Sequence, residues 1–204
     1  SDQGSVHFVK NDPNPPVSAT PDCTQYWFTG INGTPLQDGD GGIWGRGGAT
    51  YDPANDRIYI STGNGLFNAN TGGYYWSDSV LAWPAALDQA RTMPLNSYTP
   101  SNYQYMMYND YDLGATGIVL VPAPPGSART HIGVQAGKDS YRRIIDLDQM
   151  SGGAGYTGGE LFIDSVPQGN MMIAQPIVWT NPQTGAIMLI VANNFGISAT
   201  QVYT

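Results

Sequence analysis

The stretch H-I-G-V-Q-A-G-K-D-S-Y-R-R-I-I-D-L-D, from His131 to Asp148, decides how the rest of the chain is read. Ile132, Val134 and Ala136 alternate with His131, Gly133 and Gln135, the two-residue period of a β-strand. Gly137-Lys138-Asp139-Ser140 supplies turn chemistry, because Gly accepts positive φ and Asp bonds its own backbone. A second β-branched run follows from Tyr141 to Leu147, so the stretch predicts a hairpin. One hairpin is not stable alone in water and must belong to a larger sheet assembly.

The same grammar recurs on both sides. Upstream, Gly48 to Asp52 reads as a strand, Pro53 to Asp56 as a turn, and Arg57 to Thr62 as a second strand stopped by Gly63-Asn64-Gly65. Ser77 to Trp83 makes a third strand and Asn96 to Thr99 a short fourth. The central set comprises Gly117 to Val121, Thr130 to Ala136, Tyr141 to Leu147 and Glu160 to Asp164. Downstream, Gln175 to Trp179, Ile187 to Ala192 and Ile197 to Tyr203 form a set one strand short. The steps from Gly63 to Gly137 and on to Gly196 are uneven, about 74 and about 59 residues, with the excess in loops. Sets of four short strands recurring at this scale are the signature of propeller blades. The fold expected is therefore all-β: roughly three four-stranded antiparallel blades, at 47–100, 117–165 and 174–204, of a larger ring of seven or eight. A two-sheet sandwich of about eleven strands is the competing architecture. Ile118-Val119-Leu120-Val121 and Ile187 to Ala192 are nearly continuous in apolar residues, which predicts burial on both faces. Residues 1–46 read as irregular connection or the end of a preceding blade, with a short strand at Val6 to Val9 and loops at Asn11 to Pro16 and Thr34 to Gly42.

Composition agrees. Charged residues make up 12% of the 204, while Gly (26), Pro (15) and Tyr (13) are abundant, which favours short strands and tight turns over helices. Eight basic residues against sixteen acidic ones give a net charge of -8 and a pI near 4.3, a field that repels phosphate backbones, so nucleic acid is not expected as a partner. No stretch approaches the ~20 apolar residues of a membrane span, and no signal peptide is apparent. The start at Ser1 implies a processed or truncated chain. Cys23 is the single cysteine, so no intrachain disulfide forms, and a buried thiol is the expectation. Asn32-Gly33-Thr34 is a sequon. Few lysines with many Gly, Asn and Tyr residues suit an exported, periplasmic or extracellular protein.

Two stretches carry a family resemblance. Gly133 to Gly152, G-V-Q-A-G-K-D-S-Y-R-R-I-I-D-L-D-Q-M-S-G, resembles the repeat of the pyrroloquinoline-quinone (PQQ) type of β-propeller, with Ser140 where that repeat usually has Gly. Trp44 to Asn64, W-G-R-G-G-A-T-Y-D-P-A-N-D-R-I-Y-I-S-T-G-N, followed by S-D-S-V-L-A at 77–82, resembles the part of quinoprotein alcohol dehydrogenases that carries a cofactor-stacking Trp and a metal-binding Asn. The resemblance implies Asn64 as a metal ligand, Trp44 as a cofactor-stacking residue although Arg46 occupies the aligned position, and Asp112 or Asp110 as the catalytic carboxylate. It further implies PQQ with calcium or a lanthanide as cofactor, and the remaining blades or another chain as partner. The adjacent-cysteine pair and the upstream Glu ligand of that family are not seen in this sequence.

Plainer roles fit the same residues. Gly63-Asn64-Gly65 also reads as a turn with Asn in the left-handed region, and Asp110 and Asp112 as turn or cap residues before Gly114. Trp44, Trp76, Trp83 and Trp179 also read as packing between blades. Lys138 and Asp139 read as solvated turn residues, and His7 and His131 as structural. Two functions from different classes follow: a non-catalytic interaction or scaffold element of an extracytoplasmic assembly, and a fragment of a PQQ- and metal-dependent alcohol dehydrogenase. A carbohydrate-binding propeller is a third, suggested by the Tyr and Asn residues of Tyr74-Tyr75-Trp76 and Tyr98 to Tyr111.

Overall fold

The computed structural model describes residues 5–9, 23–28, 41–73, 75–85, 93–151 and 156–203, the first two segments by backbone alone. The sequon at Asn32, residues 11–16 and 34–40, and the side chains of His7 and Cys23 lie outside the described residues.

The strands run in chain order. β1 (Ser5–Val9) and β2 (Cys23–Phe28) form an antiparallel pair. β3 (Thr50–Asp52), β4 (Arg57–Ser61), β5 (Val80–Pro84) and β6 (Asn96–Tyr98) form an up-and-down four-stranded sheet. A six-residue helix, α1 (Tyr103–Tyr108), follows. The second four-stranded sheet comprises β7 (Val119–Val121), β8 (Ile132–Ala136), β9 (Tyr141–Asp146) and β10 (Phe162–Ser165), and β11 (Ile177–Thr180), β12 (Ile187–Asn193) and β13 (Gly196–Val202) make a three-stranded third. The His131–Asp148 stretch forms the two central strands of the middle sheet, with Ile132 opposite Asp146 and Ala136 opposite Arg142. Its turn places Ser140 at φ 69, the left-handed conformation for which Gly is suited.

The sheets stack face to face. Tyr59, Val80 and Ala82 of the first pack against Ile118, Ile145 and Leu147 of the second, and Ile132, Val134 and Ala136 of the second pack against Ile187, Leu189 and Val191 of the third. Each fully buried aliphatic side chain contributes about 1.5–3 kcal/mol. Within the second sheet Gly133 makes room for its neighbours, since a Cβ there would lie 2.6 Å from Ile118 Cδ1 and 3.0 Å from Leu147 Cδ2. The first strands β3, β7 and β11 lie against one another, which marks the side on which the sheets converge. Antiparallel meanders stacked in chain order with their first strands converging are consecutive propeller blades.

The two outer faces differ. On the first sheet Ile58, Ile60, Leu81 and Trp83 are covered by Phe67, Ala69, Trp76 and Met93 from the chain's own loops. On the third, Ile177, Trp179 and Ile197 remain 59%, 46% and 76% exposed. The expected two-sided burial of Ile187 to Ala192 therefore holds on one face only, because among the described residues no sheet covers the other. Trp76 and Trp83 are buried under those loops and not between blades, while Trp44 and Trp179 are 45% and 46% exposed, so none of the four takes the expected place between blades among the described residues. Among the described residues no helix is long and apolar enough to cross a membrane.

Candidate functional site

Antiparallel alternation brings the β4–β5 loop, the segment between β6 and β7, and the β8–β9 turn to the same end of the stack. Gly63-Asn64 and Gly137-Lys138 are therefore equivalent turns in neighbouring blades, and Asn109 to Thr116 runs between them. This proximity is built from glycines. A Cβ at Gly114 would lie 2.6 Å from the Gly63 nitrogen, and one at Gly63 would lie 2.4 Å from the Trp44 ring and 2.8 Å from Asp112 Oδ1.

All four residues implied by the resemblance meet here. The Asn64 backbone N–H donates to Asp112 Oδ1 at 2.9 Å, and its side-chain amide donates to Asp110 Oδ1 at 3.3 Å. Its carbonyl Oδ1 is buried with no hydrogen-bond partner among the described residues. Asn64 does not adopt positive φ; Gly65 takes that role at φ 148. Trp44 packs its ring over Gly42 and Gly63 and is 45% exposed. Arg46, at the aligned position, is exposed.

The two carboxylates share a face but not an environment. Asp110 takes φ 56, so the expected turn role is realised, and its side chain is 86% exposed. Asp112 precedes a 3-10 turn, Leu113–Ala115, yet makes no capping bond there; its side chain is 4% exposed and turns toward Asn64 and Lys138. Lys138 is not a solvated turn residue. Its Nζ forms an ion pair with Asp112 and lies 3.6 Å from Asp110, while its backbone N–H donates to the Asp112 carbonyl at 3.2 Å. Burial works against the ammonium charge, but bonding and attraction to Asp112 and Asp110 outweigh it and hold Lys138 above the usual lysine range. Asp139, its turn neighbour, is buried against Arg143.

Asp78, not singled out by the sequence, ties the loops together. Its N–H donates to the Gly63 carbonyl at 2.8 Å, and its Oδ1 accepts from the Leu113 N–H at 3.0 Å. Oδ2 is buried without a partner among the described residues. Burial pushes this carboxyl up to about 8; the Leu113 bond opposes the shift, Asp112 and Asp139 add to it, and Arg143 opposes it. Asp78 is thus largely protonated at neutral pH.

The donor set comprises an amide oxygen with a vacant lone-pair direction and two carboxylates, oxygen donors of the type a hard cation takes. The Lys138 ammonium offsets one of the two carboxylate charges, and among the described residues no group of three or more His, Cys, Asp and Glu is arranged to hold a metal ion. Lone His131 pairs with Asp148 at 2.8 Å at the opposite end of the sheets.

No family model matches the chain, and no curated protein matches it either. Solved structures do. The quinohemoprotein alcohol dehydrogenase ADHIIG of Pseudomonas putida HK5 is 16% identical with a TM-score of 0.56, the match covering 93% of this chain and 33% of that one. A quinohemoprotein alcohol dehydrogenase from Comamonas testosteroni (15% identical, TM-score 0.47, 81% of this chain and 31% of that) and a europium-containing methanol dehydrogenase (20%, 0.43, 76% and 30%) are also similar. The chain thus spans about a third of the length of these structures, and the likeness to the first supports the propeller fold.

Proposed function

We propose that these blades belong to a quinoprotein-dehydrogenase-like propeller and that the end carrying Asn64, Asp110, Asp112 and Lys138 is a cofactor-dependent alcohol-oxidising site. The observation that carries the reading is the meeting of Asn64 with both carboxylates beside the half-exposed Trp44 ring. The buried, unpartnered Asn64 Oδ1 suits a cation ligand, with Asp112 beside it, and the free area of Trp44 suits a planar ring. PQQ held there with calcium or a lanthanide would supply two-electron oxidation of an alcohol. The chain's own contribution is proton handling and charge. Asp110, solvent-facing, is the base that accepts the alcohol hydroxyl proton. Asp112 holds Asn64 and Lys138 in place, and Lys138 offsets one of the two carboxylate charges. The bare face of Ile177, Trp179 and Ile197 is where a further blade, or another chain, packs. An exported location, periplasmic or extracellular, belongs to the same proposal.

A second reading has its own observation. Lys138 pairs with the buried Asp112 with no added cation and leaves Asp110 to solvent, which suits a non-catalytic interaction or scaffold element in a larger assembly. Reconstituting the intact protein with PQQ and Ca²⁺ or a lanthanide and following alcohol-dependent dye reduction decides between them. Turnover that disappears in Asp110→Asn supports the dehydrogenase; absence of turnover with every metal leaves the scaffold.

A further inference from the structure

Beside Lys138 the site end opens into a cleft of about 540 Å³, within the range of small-molecule sites, roughly 300–1,000 Å³. Its wall is built from α1 and its N-cap (Asn102, Tyr105), the segment before β7 (Tyr111), the β8–β9 turn and first residue of β9 (Ser140, Tyr141), and the link between β10 and β11 (Asn170). Met171 is the one aliphatic residue in this lining.

Three features define what fits. Tyr105 and Tyr141 are 57% and 41% exposed, and Tyr105 is held by a tilted ring contact with Tyr111 at 5.9 Å while the Arg143 guanidinium lies 5.8 Å from the Tyr141 ring centre. The hydroxyls of Tyr105, Tyr111, Ser140 and Tyr141 make no hydrogen bond among the described residues. Asp139 is paired with Arg143 and Lys138 with Asp112, and the carboxylate in excess is Asp110, 86% exposed and outside the lining, so the lining holds no free cation for an anionic ligand.

We propose that this cleft binds a neutral polyhydroxylated ligand: a sugar, a sugar alcohol or the end of a saccharide chain. Such a ligand offers a C–H face that lies on an aromatic ring and a row of hydroxyls that both donate and accept, matching the Tyr, Ser and Asn groups. A simple aliphatic alcohol would leave those polar groups unpaired and is disfavoured for that reason. As the substrate of the neighbouring carboxylate site this rests on the dehydrogenase reading; as a binding site it stands without it.

The test is binding of D-sorbitol and maltotriose to the intact protein, followed by saturation-transfer NMR and calorimetry with no quinone or metal added, and with 1-butanol and gluconate as controls. Saturable binding of sorbitol or maltotriose is expected, and 1-butanol and gluconate do not compete. Joint replacement Tyr105→Ala and Tyr141→Ala weakens binding about tenfold, whereas Tyr108→Ala, 81% exposed and outside the cleft, leaves it unchanged. If circular dichroism shows the alanine variant unfolded, Tyr105→Phe with Tyr141→Phe removes the hydroxyls alone and weakens binding by a smaller factor. Absence of saturable binding, equal binding of 1-butanol or gluconate, or affinity unmoved by the folded variants overturns the proposal. Sugar binding without dye reduction under any cofactor condition keeps the cleft and removes the dehydrogenase; dye reduction without sugar binding does the reverse.

Discussion

Replacing Asp78 by Asn probes how the buried carboxyl sets the pH range in which the site end is stable. Asp78 is 1% exposed, accepts from the Leu113 N–H at 3.0 Å, and has its pKa pushed up from 3.8 to about 8, chiefly by burial. Below the unfolded value both states carry the proton. Between 3.8 and about 8 only the folded state does, so stability falls as pH rises across this window and levels off above it. Each unit is worth about 1.36 kcal/mol, so about three units between roughly pH 5 and 8 cost up to about 4 kcal/mol. Asn preserves an acceptor for Leu113 and cannot ionise. Urea denaturation of both proteins over that range should show the variant gaining on the wild type by roughly 2–4 kcal/mol as pH rises, because other titrating groups are common to both and cancel. Parallel pH profiles for the two proteins would refute the argument.

Other perturbations address the same geometry. Lys138→Met removes the cation beside Asp112, whose side chain is 4% exposed, and should lower stability by roughly 2 kcal/mol, with the loss largely restored in the Lys138→Met, Asp112→Asn double variant measured by chemical denaturation. Gly133→Ala places a methyl 2.6 Å from Ile118 Cδ1 and should cost about 1–3 kcal/mol, read as a lowered thermal midpoint. Ser140→Gly relieves a non-glycine residue at φ 69 and should raise stability by about 1 kcal/mol.

Much of the fold was legible because strand period and turn chemistry act over a few neighbouring residues. The alternation at Ile132, Val134 and Ala136, the turn at Gly137 to Ser140 and the missing fourth strand of the last set are all local patterns, and the structure reproduces each. The strand β2 and helix α1 were not read, since neither C-T-Q-Y-W-F nor Y-Q-Y-M-M-Y has a sustained period. Asn64, Asp110, Asp112 and Trp44 were named through a resemblance, without any indication in the local pattern that they touch. Lys138 was misjudged as a solvated turn residue for the same reason: in its own turn nothing faces it. Two signals pointed to it, namely that it is one of two lysines among sixteen acids and that Gly137-Lys138 repeats the position of Gly63-Asn64 one blade earlier. Asp78 carried no signal, because its burial comes from sheets packed around it.

The sequence by itself therefore determined an all-β chain of repeating short strands, its turns, and the chemistry available to it. Only the tertiary structure decided that Asn64 meets Asp112 across 48 positions, that Lys138 pairs with Asp112 beside Asp110, and that one outer sheet face is covered while the other is bare. Period and turn preference are set by each residue's own backbone and near neighbours, whereas burial and charge pairing depend on which distant segments the stacked blades bring to the same end.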